Sequence, residues 1–216
     1  MSSLENRKSS EVVTKGHMEA LSDGIFAVAM TLLVLELAVP SISGIQTNSE
    51  LAHRIFELWP KFLAYLLSFL LSGVVWIQHR FILHHLRRID NRLIWLNILT
   101  LMFVVLLPFS TSLLGDYWQY QTPYFVFVGN FLALLLIASA VMSYGKKSKL
   151  LTIDFTQRHM KFRRIVDICM IILLICIVGL SYVNTLISLS LFTVFVLFNI
   201  LGTLIGLYER GIIEGK

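Results

Sequence analysis

The sequence predicts an all-α integral membrane protein with six transmembrane helices and a single structural repeat. Three observations indicate this fold class. The 216 residues are 56% hydrophobic and 14% charged, with a mean hydropathy of +0.77, and one soluble core of this size would not bury so much apolar surface. The apolar residues form stretches of about 20 residues, the length of a membrane-crossing helix. The basic residues lie between these stretches, as the positive-inside rule expects.

The predicted spans follow one another with short polar connections. They are, in chain order, residues 16–37, 60–83, 93–114, 123–144, 165–183 and 185–208. Pro60 and Pro123 suit the first turn of a helix, where no N–H is needed, whereas Pro108 lies inside the third span and is expected to bend it. Little more than Asn184 separates the last two spans, which predicts a tight helical hairpin.

The distribution of basic residues predicts the orientation. With six spans, only Arg54 and Lys61 of the 18 Lys and Arg residues lie on one side of the membrane, and the other 16 share the opposite side. We therefore expect a multi-pass protein of the plasma membrane with both termini in the cytoplasm. The predicted organisation is a six-helix unit over residues 16–209, between cytoplasmic tails at residues 1–15 and 210–216.

The net charge of +5 and the pI near 9.3 do not predict nucleic-acid binding, because the basic residues lie in short gaps between apolar segments. Membrane lipid is the expected partner. The basic loop at residues 145–164 could bind anionic head groups, although topology alone accounts for its charge. Cys169 and Cys176 are about two turns apart on one predicted helix, too far to form a disulfide with each other.

Two polar residues, Ser22 and Asp23, lie inside the first span. An ionised carboxylate at the centre of a span costs about 2.5 to 3.5 kcal/mol on insertion scales, so it is normally paired. In the predicted topology, candidate partners at the same depth are found on the second and third spans, and these are Trp76, His79 and Asn97. The sequence does not establish that the three helices are neighbours.

Two interpretations of this polar cluster compete. The cluster could lock the first three helices together, or Asp23 and His79 could relay protons in a proton-coupled secondary transporter. Helix geometry favours the structural role. At about 100° per residue, Ser22 and Asp23 project away from a stripe that is apolar except for Thr31, consisting of Gly24, Val28, Thr31, Leu32 and Leu35.

Such a stripe usually packs against other helices or lipid. At its outer end, Glu36 could attract cations, or it could only mark the point where the helix reaches water. The sequence contains no nucleophile beside a base and no cluster of His and Asp for a resident metal, so we expect neither an enzyme nor a cofactor.

Three blocks of the sequence resemble the transmembrane protein 175 family of endolysosomal potassium channels and their prokaryotic homologues. These blocks are LSDGIFAVAMTLLVLEL at residues 21–37, Trp76, His79 and Phe81 within WIQHRF, and WLNILTLMFVVLLPFST at residues 95–111. The resemblance implies passive conduction of K⁺ and other monovalent cations, with a modest preference over Na⁺. It also implies a homotetramer whose first helix lines the central pore. The TVGYG filter of ordinary potassium channels does not occur in this chain.

The resemblance also implies roles for individual residues. Val28, Leu32 and Leu35 match the family's apolar constriction, and Thr31 matches a ring of hydroxyls that contributes to potassium preference. Ser22 and Asp23 match the end of a motif that belongs to a network with the histidine of the second helix, here His79.

One position departs from the family motif. His17 and Leu21 stand where the family has Arg and Phe. If His17 joins the network around Asp23, a fixed cation is replaced by a titratable one, and the stability or opening of the pore would depend on pH near neutrality. Alternatively, His17 only caps the membrane interface.

Overall fold

The structure is a computed structural model that describes residues 14–37, 39, 47–151 and 157–214; for residues 157–164, 166–167, 185–186 and 203–214 it describes the backbone alone. The described residues form eight α-helices and a short 3₁₀ helix, Val34–Glu36, that continues the first of them. The α-helices are α1 Lys15–Leu33, α2 Asn48–Glu57, α3 Trp59–His84, α4 Asn91–Val105, α5 Leu107–Asp116, α6 Gln121–Lys147, α7 Gln157–Leu180 and α8 Thr185–Glu214.

Among the described residues, four helical segments are long and apolar enough to cross a membrane. They are Lys15–Glu36, Trp59–His84, Asn91–Asp116 and Gln121–Lys147, and they correspond to the first four predicted spans. In α7 and α8, the described residues supply shorter apolar segments, Ile168–Leu180 and Ile187–Gly202. Helix α7 begins eight residues before the predicted fifth span, which starts at residue 165, because polar residues continue the helix beyond its apolar part.

The structure describes only part of the two predicted tails. Of the predicted first tail, residues 1–13 lie outside the described residues. Helix α8 continues to Glu214, so the predicted tail at residues 210–216 is helical as far as Glu214. Hydropathy predicts where a helix leaves the apolar layer, but it does not predict where the helix ends. Helical hydrogen bonding can continue in water, so α8 extends beyond the predicted span.

Helix α1 begins with a capping box. The Thr14 hydroxyl accepts a hydrogen bond from the backbone N–H of His17 at 3.3 Å, and Nδ1 of His17 accepts one from the backbone N–H of Thr14 at 3.4 Å. The next residue, Lys15, ties this end of α1 to α3, because its Nζ donates to the carbonyls of His84 and Leu86, each at 2.9 Å. The start of α1 is thus fixed to the end of α3.

The short helix α2 has no counterpart among the predicted spans. Thr47 caps it, accepting from the N–H of Glu50 at 3.2 Å, while the Glu50 carboxylate accepts from the N–H of Thr47 at 3.3 Å. This is the Thr-x-x-Glu signature of a helix start. A search for apolar stretches of membrane length does not detect it, because α2 is short and polar. Pro60 then lies in the first turn of α3, as predicted.

The third predicted span is interrupted. Helix α4 ends at Val105 and α5 begins at Leu107, one residue before Pro108. Proline has no N–H to donate to the carbonyl four residues earlier, and its ring crowds the preceding turn. The bend expected at Pro108 therefore takes the form of a break between two short helices, which remain linked by the backbone bond from Ser110 N–H to the Leu106 carbonyl.

Helix α1 packs against α3, α4 and α5. Its buried side includes the large apolar residues Phe26 and Leu33, which are almost completely excluded from solvent. Phe26 contacts a cluster from α4, α5 and α6 that includes Leu101, Val104 and Leu107. The neighbour relation among the first three spans, which the sequence left open, is therefore present in the structure.

Polar contacts join the remaining helices inside the bundle. The Thr111 hydroxyl of α5 hydrogen-bonds with the Ser68 hydroxyl of α3 at 2.6 Å, and the Asn130 amide of α6 donates to Ser110 at 3.3 Å. Near the other end of α3, Lys61 forms an ion pair with Asp116 of α5. These contacts hold α5 between α3 and α6.

Helices α7 and α8 complete the bundle through an aromatic cluster. The ring of Phe192 on α8 lies edge-on to the rings of Tyr124 and Phe127 of α6, with centroids 6.3 and 5.7 Å apart. Cys169 and Cys176 on α7 are both free and exposed, in agreement with the prediction that they do not pair.

Candidate functional site

One face of α1 is not covered by any other part of the chain that the structure describes. Gly24, Val28, Thr31, Leu32 and Leu35 are all exposed, and the exposed fractions of Val28 and Leu35 reach 58% and 69%. This exposed stripe extends from α1 into the 3₁₀ helix that contains Leu35. Glu36, at its outer end, is partly buried. The stripe is thus an unpartnered apolar face with a single hydroxyl, that of Thr31.

The Thr31 hydroxyl hydrogen is already used. Oγ1 of Thr31 donates to the carbonyl of Val28 at 2.8 Å, within the same helix. A hydroxyl has one hydrogen and two lone pairs, so this bond leaves oxygen lone pairs free on an exposed side chain. Thr31 can therefore act as an acceptor, or as an oxygen ligand for a cation.

The other side of α1 carries the Asp23 carboxylate, which is held by two residues of α3. Nε1 of Trp76 donates to Oδ1 of Asp23 at 2.9 Å, and the Arg80 guanidinium donates to Oδ2 at 2.5 Å. The guanidinium also lies 5.8 Å from the centroid of the Trp76 ring, within cation–π range. Both carboxylate oxygens therefore have donors, and one of these donors is a permanent cation.

Arg80 is the residue that sequence reasoning missed. The positive-inside count places Arg80 only among the 16 basic residues of the cytoplasmic side, whereas the structure pairs it with Asp23. A signal for this pairing was present in the sequence. Trp76 and Arg80 are four residues apart, which places them on one face of a helix, so a partner of Trp76 can also contact Arg80.

Ser22 anchors α1 to α4 rather than to α3. Its Oγ donates to the Met18 carbonyl at 2.8 Å and lies 3.2 Å from Oδ1 of Asn97. Both side chains are buried. Because consecutive residues diverge by about 100° around a helix, Ser22 and Asp23 reach different neighbours. Together they attach α1 to two helices at one depth.

His79 lies between these two contacts. Its ring is packed against Phe26 of α1, with centroids 5.6 Å apart, and Asn97 and Asp23 are close enough to interact with it electrostatically. Its Nε2 is buried and has no hydrogen-bond partner among the described residues. His79 is therefore part of the α1–α3 contact but not a direct ligand of the Asp23 carboxylate.

The structure does not bring His17 to this network. His17 forms the capping box with Thr14, and Asp23 lies six residues further along α1, about 9 Å along the helix axis. Arg80, not His17, supplies the cation that pairs with Asp23. In the structure, His17 is a helix-capping residue at the start of α1.

The helices and the site together define a multi-pass α-helical membrane protein whose first helix is held by polar contacts to α3 and α4. The sequence model of a family described as the endosomal/lysosomal potassium channel TMEM175 matches residues 17–108. A potassium channel of Chamaesiphon minutus is 36% identical over 147 residues, which cover 67% of this chain and 72% of that protein. The chain belongs to the TMEM175 family.

Other relatives match a smaller part of the chain. A potassium channel of Streptomyces collinus is 40% identical over 102 residues, covering 47% of this chain and 48% of that protein. The chain thus spans about half the length of that relative. The endosomal/lysosomal proton channel TMEM175 of Homo sapiens is 33% identical over 105 residues, covering 46% of this chain and 21% of the human protein.

A solved structure agrees with the fold. It is the crystal structure of a lysosomal potassium-selective channel TMEM175 homologue from Chamaesiphon minutus, with a TM-score of 0.72 and 29% sequence identity. The superposition covers 87% of this chain and 96% of the solved one. The helical arrangement is therefore similar over most of the chain.

The pairing of Asp23 with Arg80 predicts coupled effects of mutation. Asp23→Asn and Arg80→Gln should each lower the free energy of unfolding in detergent micelles, because each leaves a polar group in the membrane without its partner. The double variant should lose less than the sum of the two, by about 1 kcal/mol, since both side chains are partly exposed and such contacts are modest.

The control is a second double-mutant cycle, in which Asp23→Asn is combined with Arg88→Gln. Arg88 is exposed and lies beyond the end of α3. Its effect should simply add to that of Asp23→Asn. Additive behaviour of the Asp23 and Arg80 substitutions would contradict the pairing.

Proposed function

We propose that this chain forms a cation channel in which four copies surround a central pore lined by α1. The observation that carries the proposal is the exposed stripe of α1, apolar except for Thr31, on a helix whose opposite side is fixed by Asp23 and Ser22. The bacterial relatives are described as potassium channels, which supports cation permeation.

In a four-fold arrangement, the exposed stripe would face the central axis instead of lipid. Four copies of Val28, Leu32 and Leu35 would form successive apolar rings around the axis. Narrow apolar rings can gate a channel by dewetting, because the water column breaks until the constriction widens. We therefore assign the gate to these three residues and passive conduction to the open state.

Thr31 is the residue we assign to potassium preference. Its hydrogen is committed to the Val28 carbonyl, so four Thr31 oxygens would face a permeating cation with lone pairs. A ring of hydroxyls is a weaker ligand set than a filter of backbone carbonyls, so the preference for K⁺ over Na⁺ should be modest. Glu36 would add negative charge near the outer mouth.

The proposed topology has six spans, with α7 and α8 supplying the fifth and sixth. The apolar parts of these helices, Ile168–Leu180 and Ile187–Gly202, support this assignment. Both termini would lie in the cytoplasm and the protein in the plasma membrane. Residues 16–209 would then form the channel unit, between cytoplasmic segments at residues 1–15 and 210–216.

The alternative, a proton-coupled secondary transporter that uses Asp23 and His79, has less support. Both oxygens of Asp23 already have donors, and His79 does not contact the carboxylate through a hydrogen bond. A group that relays protons must exchange partners, whereas this carboxylate holds two helices together. We therefore treat Asp23 as a structural brace of the pore.

The decisive test is electrical recording from the purified protein in planar bilayers, with KCl on one side and NaCl on the other. We expect large currents whose reversal potential is displaced towards the K⁺ equilibrium potential. Because a vertebrate relative is described as a proton channel, the recording is repeated with a pH gradient and equal salt. Flux that saturates and follows the pH gradient at fixed stoichiometry would contradict the channel.

Replacing Leu35 by Asn tests the constriction. A polar amide in one of the proposed apolar rings would stabilise water there, so we expect a several-fold increase in K⁺ flux from reconstituted vesicles. The matched control is Leu173→Asn on α7, another exposed leucine in a membrane helix but away from α1. Equal flux in the Leu35 variant and the wild type would show that this face does not line the path.

Replacing Thr31 by Val tests the selectivity assignment. Valine has nearly the same shape but no oxygen, so the shift of the reversal potential between KCl and NaCl should shrink while current persists. Thr31→Ser keeps the hydroxyl and should keep most of the preference. An unchanged reversal potential in the Val variant would contradict a role for Thr31 in selectivity.

A further inference from the structure

A second apolar face lies on α4, away from α1. It forms an open groove with a volume of about 630 Å³, within the usual range of about 300 to 1,000 Å³ for ligand sites. The groove is lined by Arg92, Trp95, Ile98, Leu99 and Met102 of α4 and by Tyr144 of α6. No residue of α1 contributes to this lining, so the groove is separate from the exposed stripe.

The length of the groove corresponds to one leaflet of a membrane. From Arg92 to Met102 is ten residues, about 15 Å along a helix axis. This is half of the hydrocarbon thickness, which is about 30 Å. The wall is apolar along this distance, with Trp95 exposed by 69% and Met102 by 49%. A groove of these dimensions suits an acyl chain.

The end of the groove at Arg92 is polar and positively charged. The Arg92 guanidinium lies 5.9 Å from the centroid of the Tyr144 ring, and no carboxylate among the described residues lies within ion-pair distance of it. The nearby carboxylate of Asp90 is already engaged, because it accepts from the Leu93 N–H at 2.9 Å and from the Tyr144 hydroxyl at 2.5 Å. Arg92 therefore has a cationic group available for an external anion.

The aromatic residues fit the boundary between hydrocarbon and head groups. Trp95 lies one turn inside Arg92, and Tyr144 is fixed beside Arg92 by its bond to Asp90. Trp and Tyr favour this boundary because their rings are apolar and their N–H or O–H is polar. The order along the groove is thus cation, aromatic pair and apolar wall, which matches the order of groups in a phospholipid.

We propose that this groove binds one anionic phospholipid, with an acyl chain along α4 and the head-group phosphate on Arg92. The charge at the mouth favours this occupant over a second copy of the chain, which would have to bring a carboxylate to Arg92. Basic residues close to a membrane surface attract anionic lipids, and Lys146 and Lys147 follow Tyr144 in α6. The site does not depend on the channel proposal.

Fluorescence quenching by brominated lipids tests this site. The protein is reconstituted into vesicles of phosphatidylcholine that contain a minor fraction of either dibromo-phosphatidylglycerol or dibromo-phosphatidylcholine in both leaflets, so the result does not depend on orientation. The Trp95 signal is obtained as the difference between the wild type and Trp95→Phe. We expect the apparent affinity for the anionic lipid to exceed that for the neutral lipid by about five-fold, the preference that one basic residue supplies near a membrane surface.

Three variants separate the site from general surface charge. Arg92→Gln should lower the apparent affinity for the anionic lipid to that for the neutral lipid. Arg92→Lys should keep most of the five-fold preference, and Arg88→Gln should leave it unchanged. Equal quenching by both lipids in the wild type, or the same loss in Arg88→Gln as in Arg92→Gln, would overturn the proposal. So would the absence of quenching by either lipid, since a second copy of the chain would then cover the groove.

Discussion

The carboxylate of Asp23 is the constraint on which the arrangement of the first three spans depends. A charge at membrane depth must have partners within the protein, and α3 supplies them through Trp76 and Arg80. Asn97 meets the neighbouring Ser22 from α4. Two contacts about 100° apart fix the rotation of α1 about its axis. If α1 rotated about its axis by the angle between two consecutive residues, Asp23 would move away from its donors. The same contacts therefore determine which face of α1 the other described helices leave exposed.

Elsewhere in the bundle, polar contacts also occur where helices cross. The pairs Thr111 with Ser68 and Asn130 with Ser110 join α5 to its two neighbours. Apolar packing alone gives little directional preference between helices in lipid, since the lipid is as apolar as the side chains. A few hydrogen bonds therefore specify neighbours and rotations, while aromatic packing around Phe192 fills the space between the later helices.

Much of the helical arrangement could be predicted from the sequence, because hydropathy and proline act locally. Four spans and the interruption near Pro108 follow from them. The partners of Asp23 could not be predicted from such local signals, because they depend on which helices are in contact. The charge of Arg80 predicts only the side of the membrane on which it lies, and the resemblance suggests His17 for the network of Asp23. The structure instead pairs Arg80 with Asp23 and places His17 in the cap of α1. The proposed assembly of several copies would depend on contacts between chains, which the periodicity of one sequence does not predict.

The break at Leu106 has a mechanical consequence for α1. A continuous helix resists bending along its whole length, whereas α4 and α5 are two short rods that meet at a joint. Helix α4 supports the half of α1 that contains Ser22, and α5 also packs against α1 and the 3₁₀ helix that follows it. The two ends of α1 therefore rest on separate supports, and a tilt of one rod is not transmitted rigidly to the other.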